Sequence, residues 1–164
     1  MGEVIEYIPY IRSMIGHAKC MAAACTCIIV DQDERVLLQK RSDNGLYGFT
    51  GGCLDLGETV IEGAIREVRE ECGISLRPED LHLLTIQSGP KMEMNYPNGD
   101  VVDYVDLVFY AKVDSRKIDL HGDDESLSLA FYKREEIPEP ALLLRDVKEC
   151  LDIYFSHPDK PVID

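Results

Sequence analysis

A mixed α/β layered domain is predicted by the way strand-length apolar runs are broken by two well-separated helical stretches. Apolar runs of strand length occur at Met21–Val30, Val36–Gln39, Leu81–Gln87, Val101–Val113 and Ser126–Tyr132. Helical periodicity marks Thr59–Cys72 and Ala141–Phe155. No repeat, low-complexity tract or linker divides the sequence, so residues 1–164 are expected to form one domain of ordinary length.

Each element has its own signal. Residues 1–18 form an N-terminal arm in which Val4, Ile5, Ile8, Ile11 and Met14 recur at roughly helical intervals, interrupted by Pro9. The arm therefore reads as a short helix beginning near Pro9 or as irregular chain. The first two strands flank the turn Asp31-Gln32-Asp33-Glu34, and a Gly-rich passage then runs from Asn44-Gly45 through Gly51-Gly52 to Gly57. The helix from Thr59 stops at Gly73, which suits a left-handed helix end. Tyr96-Pro97-Asn98-Gly99-Asp100 links two of the later strands, either as a plain turn or as a cover for a ligand's base or ribose. Residues 141–155 close the domain as an amphipathic helix, with Leu142, Leu143, Val147, Leu151 and Tyr154 along one side.

Charge and cysteine usage exclude several function classes. The sequence carries 17 Lys+Arg against 31 Asp+Glu, a formal net charge of −14. Such a surface repels nucleic-acid phosphates and anionic lipid headgroups, so neither nucleic acid nor membrane is an expected partner. An anionic substrate would need a divalent cation to bridge it to this protein. Residues 1–16, with Glu3 and Glu6 and no basic start, do not read as a signal peptide. The apolar stretch Cys20–Val30 is too short to span a bilayer. The six cysteines form no CxxC pair and read as buried thiols of a reducing cytoplasm. None of the four histidines forms a paired metal motif.

The informative segment is Gly52 to Ile74, GCLDLGETVIEGAIREVREECGI. On a helical wheel, Ala64, Val68, Ile61, Cys72 and Ile65 share a stripe that should face the core. Glu67, Glu70 and Glu71 fall together on a different side, where three carboxylates repel one another unless a cation joins them. Carboxylate oxygens are the hard ligands that Mg²⁺ and Mn²⁺ prefer. Gly63, one turn before Glu67, would leave room beside that patch for a bulky anion. Arg66, a turn from Glu62 and Glu70, is placed to hold a carboxylate in orientation. Lys40 and Arg41 end a strand beside the Gly-rich passage, where Arg41 would clamp a phosphate or simply be solvated.

The spacing Gly52, five residues, Glu58, seven residues, then REVREECGI resembles the signature GX5EX7REUXEEXGU of the Nudix (MutT-type) hydrolases, where U is apolar. All seven defined identities match, which by chance would occur about 10⁻⁹ times per start site at ordinary residue frequencies. Val36–Arg41 and the pair Phe131-Tyr132 followed by Glu135-Glu136-Ile137-Pro138 resemble the family's flanking strands, extending the likeness over residues 20–140. One departure is Tyr47-Gly48-Phe49-Thr50-Gly51-Gly52, where the family commonly has Trp-x-x-Pro-Gly-Gly.

The resemblance implies an αβα sandwich with a loop–helix–loop catalytic box at 52–74. It also implies hydrolysis of a nucleoside diphosphate linked to another moiety, with Mg²⁺ or Mn²⁺. Carried onto this sequence, the metal ligands are Glu67, Glu70, Glu71 and the Gly52 carbonyl, with Glu67 also able to deprotonate water. Arg66 would orient Glu67, and Glu58 would brace the loop or touch the metal shell through water. A second acidic group, often drawn from a downstream loop in this family, is assigned to Glu125. ADP-ribose-like compounds, nucleotide sugars, dinucleoside polyphosphates and nucleoside triphosphates all fit, with ADP-ribose-like compounds leading. The rivals are a nucleotide-sensing domain without turnover, disfavoured by the complete carboxylate set, and a diphosphate isomerase, disfavoured because Cys53 has no nearby His. The apolar arm and final helix, together with the family's habit, lead to the expectation of a homodimer.

Overall fold

The computed structural model describes residues 4–144 and 146–163. Met1–Glu3, which opened the predicted arm, and Arg145, inside the predicted last helix, lie outside them. In chain order the elements are α1 (Tyr7–Ile15), β1 (Cys20–Val30), β2 (Val36–Arg41), β3 (Tyr47–Gly48), β4 (Thr50–Cys53) and α2 (Val60–Cys72). Then come β5 (His82–Gln87), β6 (Glu93–Asn95), β7 (Val101–Lys112), β8 (Ser126–Tyr132), α3 (Val147–Phe155) and β9 (Val162–Ile163). All nine strands join one mixed sheet in the order β3-β2-β1-β7-β5-β9, with β4 on β1, β8 on β2 and β6 on β7. The β1–β7 pair is parallel over its whole length, from Cys20↔Val102 to Val30↔Lys112.

The two-residue period of the central strands divides the core between two helices. Cys25, Cys27 and Ile29 of β1, Leu37 of β2 and Phe109 and Ala111 of β7 pack on Ala64, Val68 and Cys72 of α2. Ile28 and Val30, Val36 and Leu38, and Val108 turn the other way, onto Val147, Cys150, Leu151 and Tyr154 of α3. Because both faces are covered, β1 and β2 read as continuous apolar runs. The result is a helix–sheet–helix sandwich. Val68 is fully buried, and truncation to Ala there would cost roughly 2–3 kcal/mol.

Helix α2 begins and ends on sequence chemistry. Thr59 Oγ1 accepts from the Glu62 N–H at 3.2 Å while Glu62 Oε2 accepts from the Thr59 N–H at 2.8 Å, a reciprocal cap. Gly73 closes the helix at φ 71°. Ile61 and Ile65 are partly buried beside the fully buried Ala64, Val68 and Cys72, as the wheel predicted.

Three elements differ from the sequence expectation. Helix α1 starts at Tyr7, so Pro9 sits in the first turn, where its missing N–H is no loss. The last helix starts at Val147, not Ala141: Pro140–Leu142 form one 3₁₀ turn, and the Leu144 N–H donates to the Tyr47 carbonyl at 2.9 Å. That backbone bond to a two-residue strand competes with helix and leaves no periodic signal. The Gly-rich passage, expected as loop, contains β4 in register with β1 at Thr26↔Gly51 and Cys25↔Gly52. A β-carbon at Gly51 would meet the Cys25 carbonyl at 2.4 Å, so glycine here permits the close approach of two backbones. Tyr96–Asp100 is the turn between β6 and β7, closed by the Tyr96 N–H on the Asp100 carbonyl at 2.9 Å.

Candidate active site

Arg66, a partly buried residue of α2, organises the carboxylates. Its Nε and Nη2 donate to Glu58 Oε1 and Oε2 at 2.7 and 3.0 Å, a bidentate fork. Nη1 donates to Glu67 Oε1 at 2.7 Å and to Glu70 Oε2 at 3.3 Å, and Nη2 reaches the Cys53 carbonyl at 3.2 Å. The Arg66 hydrogen bond holds the Glu58 carboxyl below its ordinary range. Glu58 also accepts from the Asp55 N–H at 3.1 Å, so it ties the loop before α2 to the helix.

Glu71 is set apart from this fork. It is 6% exposed, and its Oε2 accepts from the Gly51 N–H at 2.9 Å. Burial pushes its carboxyl up to about 8 against that hydrogen bond, and the negative charges of Glu67, Asp123 and Glu125 add to the rise. Burial likewise raises Glu67, opposed by Arg66. Glu67 lies over Gly52, where a β-carbon would come within 2.5 Å of its Oε1. The Gly52 carbonyl receives the Cys25 thiol at 3.8 Å. Among the described residues, no set of three His, Cys, Asp or Glu side chains lies close enough together to hold a metal ion. Arg66, lodged between Glu58, Glu67 and Glu70, accounts for part of that spacing.

The chemistry of this edge fits a hard divalent cation. The donors are all oxygens, burial and neighbouring carboxylates shift two of the carboxylates upward, and only glycine at position 52 leaves the space under Glu67 open.

Gly51 and Gly52 lie on the rim of a cavity of about 800 Å³ on the α3 side of the sheet. Ala24 and Thr26 of β1, Val102, Tyr104 and Asp106 of β7, Met92, Met94 and Tyr96 near β6, and Ile8 and Arg12 of α1 line it. Arg41 and Glu125 also line it, and the negative charges of Glu125 and Glu71 both act on Arg41. The Arg41 guanidinium is engaged by Asp43, with Nε to Oδ1 and Nη2 to Oδ2 both at 3.0 Å. Lys40 is not among the lining residues: a register shift falls between Lys40 and Arg41, and the Lys40 ammonium sits 5.6 Å from the Tyr47 ring. Gly63 opens no space for an anion either. It is buried, and a β-carbon there would strike Leu54 Cδ2 at 2.3 Å, so it serves close packing of α2 on the preceding loop.

Several cavity residues were not singled out from the sequence. Arg12 reaches across to Asp100, Nε to Oδ2 at 3.4 Å, and holds the Gly16 and Ala18 carbonyls through Nη1. Tyr104 and Tyr96 join hydroxyls at 2.7 Å to form one wall. Asp106 did carry a signal. It is a carboxylate at an inward position of a strand whose neighbours on that face are Val102, Tyr104 and Val108.

A family model described as NUDIX domain matches residues 21–151. The sequence is 32% identical over 116 residues to an ADP-ribose pyrophosphatase of Methanocaldococcus jannaschii, covering 69% of this chain and 63% of that protein. It is 34% identical over 127 residues to the human 8-oxo-dGDP phosphatase NUDT18, covering 75% of this chain and 35% of that one. The chain thus spans between about a third and just under two thirds of the length of these relatives. Among solved structures, a MutT NUDIX hydrolase from Burkholderia pseudomallei superposes with a TM-score of 0.64 at 26% identity, covering 80% of this chain and 96% of that one.

Proposed function

The chain belongs to the Nudix family, and from that premise we propose that it hydrolyses the diphosphate linkage of a nucleoside diphosphate derivative with the help of Mg²⁺ or Mn²⁺. One observation carries the reading: Glu71 and Glu67 of one helix grip the Gly51–Gly52 backbone, the first by a 2.9 Å hydrogen bond and the second by an approach that only glycine permits. Those two glycines form the rim of the 800 Å³ cavity, so the acidic edge and the space for a nucleotide adjoin.

In this proposal Glu67, Glu70, Glu71 and the Gly52 carbonyl hold the cation. When bound, it supplies charge neutralisation for the diphosphate and a lowered pKa for the attacking water. Arg66 fixes Glu67 Oε1, which leaves Oε2 as the atom to accept the water's proton. Glu58 keeps Arg66 in place from the loop side. Glu125, which also lines the cavity, adds negative charge toward Glu71 and is the candidate for a further cation contact or for proton transfer. Arg41 binds substrate phosphate by exchanging Asp43 for it, and Lys40, stacked on Tyr47, contributes only long-range positive charge.

For the substrate, the likeness to an ADP-ribose pyrophosphatase supports an ADP-ribose-like compound ahead of nucleotide sugars, dinucleoside polyphosphates and nucleoside triphosphates. The proposal extends to one domain over residues 1–164 and to a reducing, cytoplasmic setting, supported by six unpaired cysteines. It extends also to a homodimer, supported by the exposed Val4, Met14 and Met21 around the N-terminal arm. Incubating the protein with a panel of these compounds and Mg²⁺ tests the activity, and light scattering tests the dimer. No phosphate-containing product from any member of the panel would refute the hydrolase reading.

A further inference from the structure

The cavity's inner end is chemically unlike its rim. Asp106 of β7 lines it and is 4% exposed. Thr26 Oγ1 donates to Asp106 Oδ2 at 2.8 Å, but Asp106 Oδ1 is buried without a hydrogen-bond partner among the described residues. Folded proteins seldom leave a buried carboxyl oxygen unpaired, and where its residue lines a cavity a ligand donor is the natural complement. Burial raises this carboxyl to about 7 against the Thr26 hydrogen bond, and the charge of Asp146 adds to the rise. An incoming N–H group would relieve that unfavourable setting.

The surroundings narrow the donor. Met92, Tyr104 and Leu144 line the cavity as broad apolar surfaces. A flat heterocycle buries its faces on such surfaces and presents its polar groups at its edge, where Asp106 stands. Position also fits. Gly51 pairs with Thr26, a β-carbon on Gly51 would lie 3.0 Å from Thr26 Oγ1, and that hydroxyl bonds to Asp106 Oδ2 at 2.8 Å, so the Gly51 backbone and the carboxyl lie within about 7 Å of each other. A nucleoside with its base edge at Asp106 therefore reaches past Gly51–Gly52 toward Glu67 and Glu71, which touch those glycines.

Building on the proposed hydrolase site, we propose that Asp106 is a specificity-determining residue that accepts the exocyclic amine of the substrate's purine base. Thr26 holds Oδ2 and thereby aims Oδ1. A base without that amine leaves the oxygen unpaired and is bound more weakly.

Binding of nucleoside monophosphates, which offer no diphosphate to cleave, separates this from the catalytic reading. AMP is compared with the monophosphate of unsubstituted purine riboside, and GMP with inosine monophosphate, by calorimetry at fixed Mg²⁺ on the wild-type chain and on Asp106→Leu. Wild type is expected to prefer the amine-bearing member of at least one pair by about tenfold or more. Asp106→Leu is expected to bring that ratio near one, an effect that general loosening of the fold would not produce. Equal binding of both members of both pairs by wild type overturns the assignment whether or not the variant folds, as does a variant that keeps the wild-type ratio. A preference without hydrolysis of any diphosphate would refute only the catalytic reading. Hydrolysis without a preference would refute only the role of Asp106.

Discussion

Glu67 lies so close over Gly52 that a single added β-carbon would come within 2.5 Å of its Oε1 and 2.7 Å of its carboxyl carbon. The two residues are fifteen positions apart in a sequence where one is a strand glycine and the other a helix glutamate, and each defines the other's position. Gly52→Ala should therefore displace the carboxylate while leaving the fold intact, since the group that must move is the end of a flexible side chain. Turnover of the diphosphate substrate is expected to fall about 100-fold, the scale associated with ångström misplacement of a catalytic group. A melting temperature close to wild type would show that geometry alone was lost.

Arg66 neutralises Glu58, which is 6% exposed at its side chain. Arg66→Ala leaves that carboxylate buried without its partner, and urea denaturation should show a loss of roughly 2–4 kcal/mol, discounted for the partial exposure of Arg66. Arg66→Lys keeps the charge but cannot form the fork to Glu58 while also reaching Glu67. It is expected to retain more stability than Arg66→Ala while losing turnover by at least about tenfold.

Treatment with a chelator should abolish hydrolysis, and adding Mg²⁺ or Mn²⁺ should restore it. Glu70→Gln and Glu71→Gln should each lower kcat by orders of magnitude, about 100-fold or more, without unfolding the chain. Calorimetric titration with Mn²⁺ should show correspondingly weaker binding to both variants.

Asp31 gives a stability prediction remote from the site. Its side chain accepts from the backbone N–H groups of Asp33 and Arg35, both at 3.0 Å, from Arg35 Nε at 2.8 Å and from Ser115 Oγ at 3.0 Å. Burial alone would raise its carboxyl, but the hydrogen bonds from Arg35, Asp33 and Ser115 outweigh that and leave it below its ordinary 3.8. Its stabilisation is present above pH 3.8 and is lost as pH falls through the depressed folded value. Asp31→Asn should cost about 1–3 kcal/mol at pH 7 by urea denaturation, and the difference from wild type should shrink in acid.

Asp106 has the opposite sign. Its carboxyl rises from 3.8 to about 7 in the folded chain, so the native state holds a proton that the unfolded state has released. Its contribution to stability is full below pH 3.8 and lost as pH climbs to about 7. Asp106→Asn removes that dependence. Relative to wild type, its melting temperature should rise by at least about 3 °C between pH 4 and pH 8.

The linear sequence was sufficient for what depends on local chemistry. The two-residue and helical periods located β1, β2, β5, β7, β8 and α2 to within a residue or two, because burial on two faces imposes those patterns directly. The spacing of Gly52, Glu58, Arg66, Glu67, Glu70 and Glu71 pointed to the acidic edge, because a helix sets neighbours at three and four residues. Tertiary structure alone decided the rest. It paired the Gly-rich passage with β1, drew residues 143–144 onto β3 in place of helix, and packed Gly63 against Leu54, since each depends on backbone approach between distant segments. It also joined Thr26 to Asp106, eighty residues away, in a cavity lined by the same Gly51 and Gly52 that the acidic helix touches. Periodicity reports which face a side chain takes, but which side chains meet across that face is settled only when the strands are laid side by side.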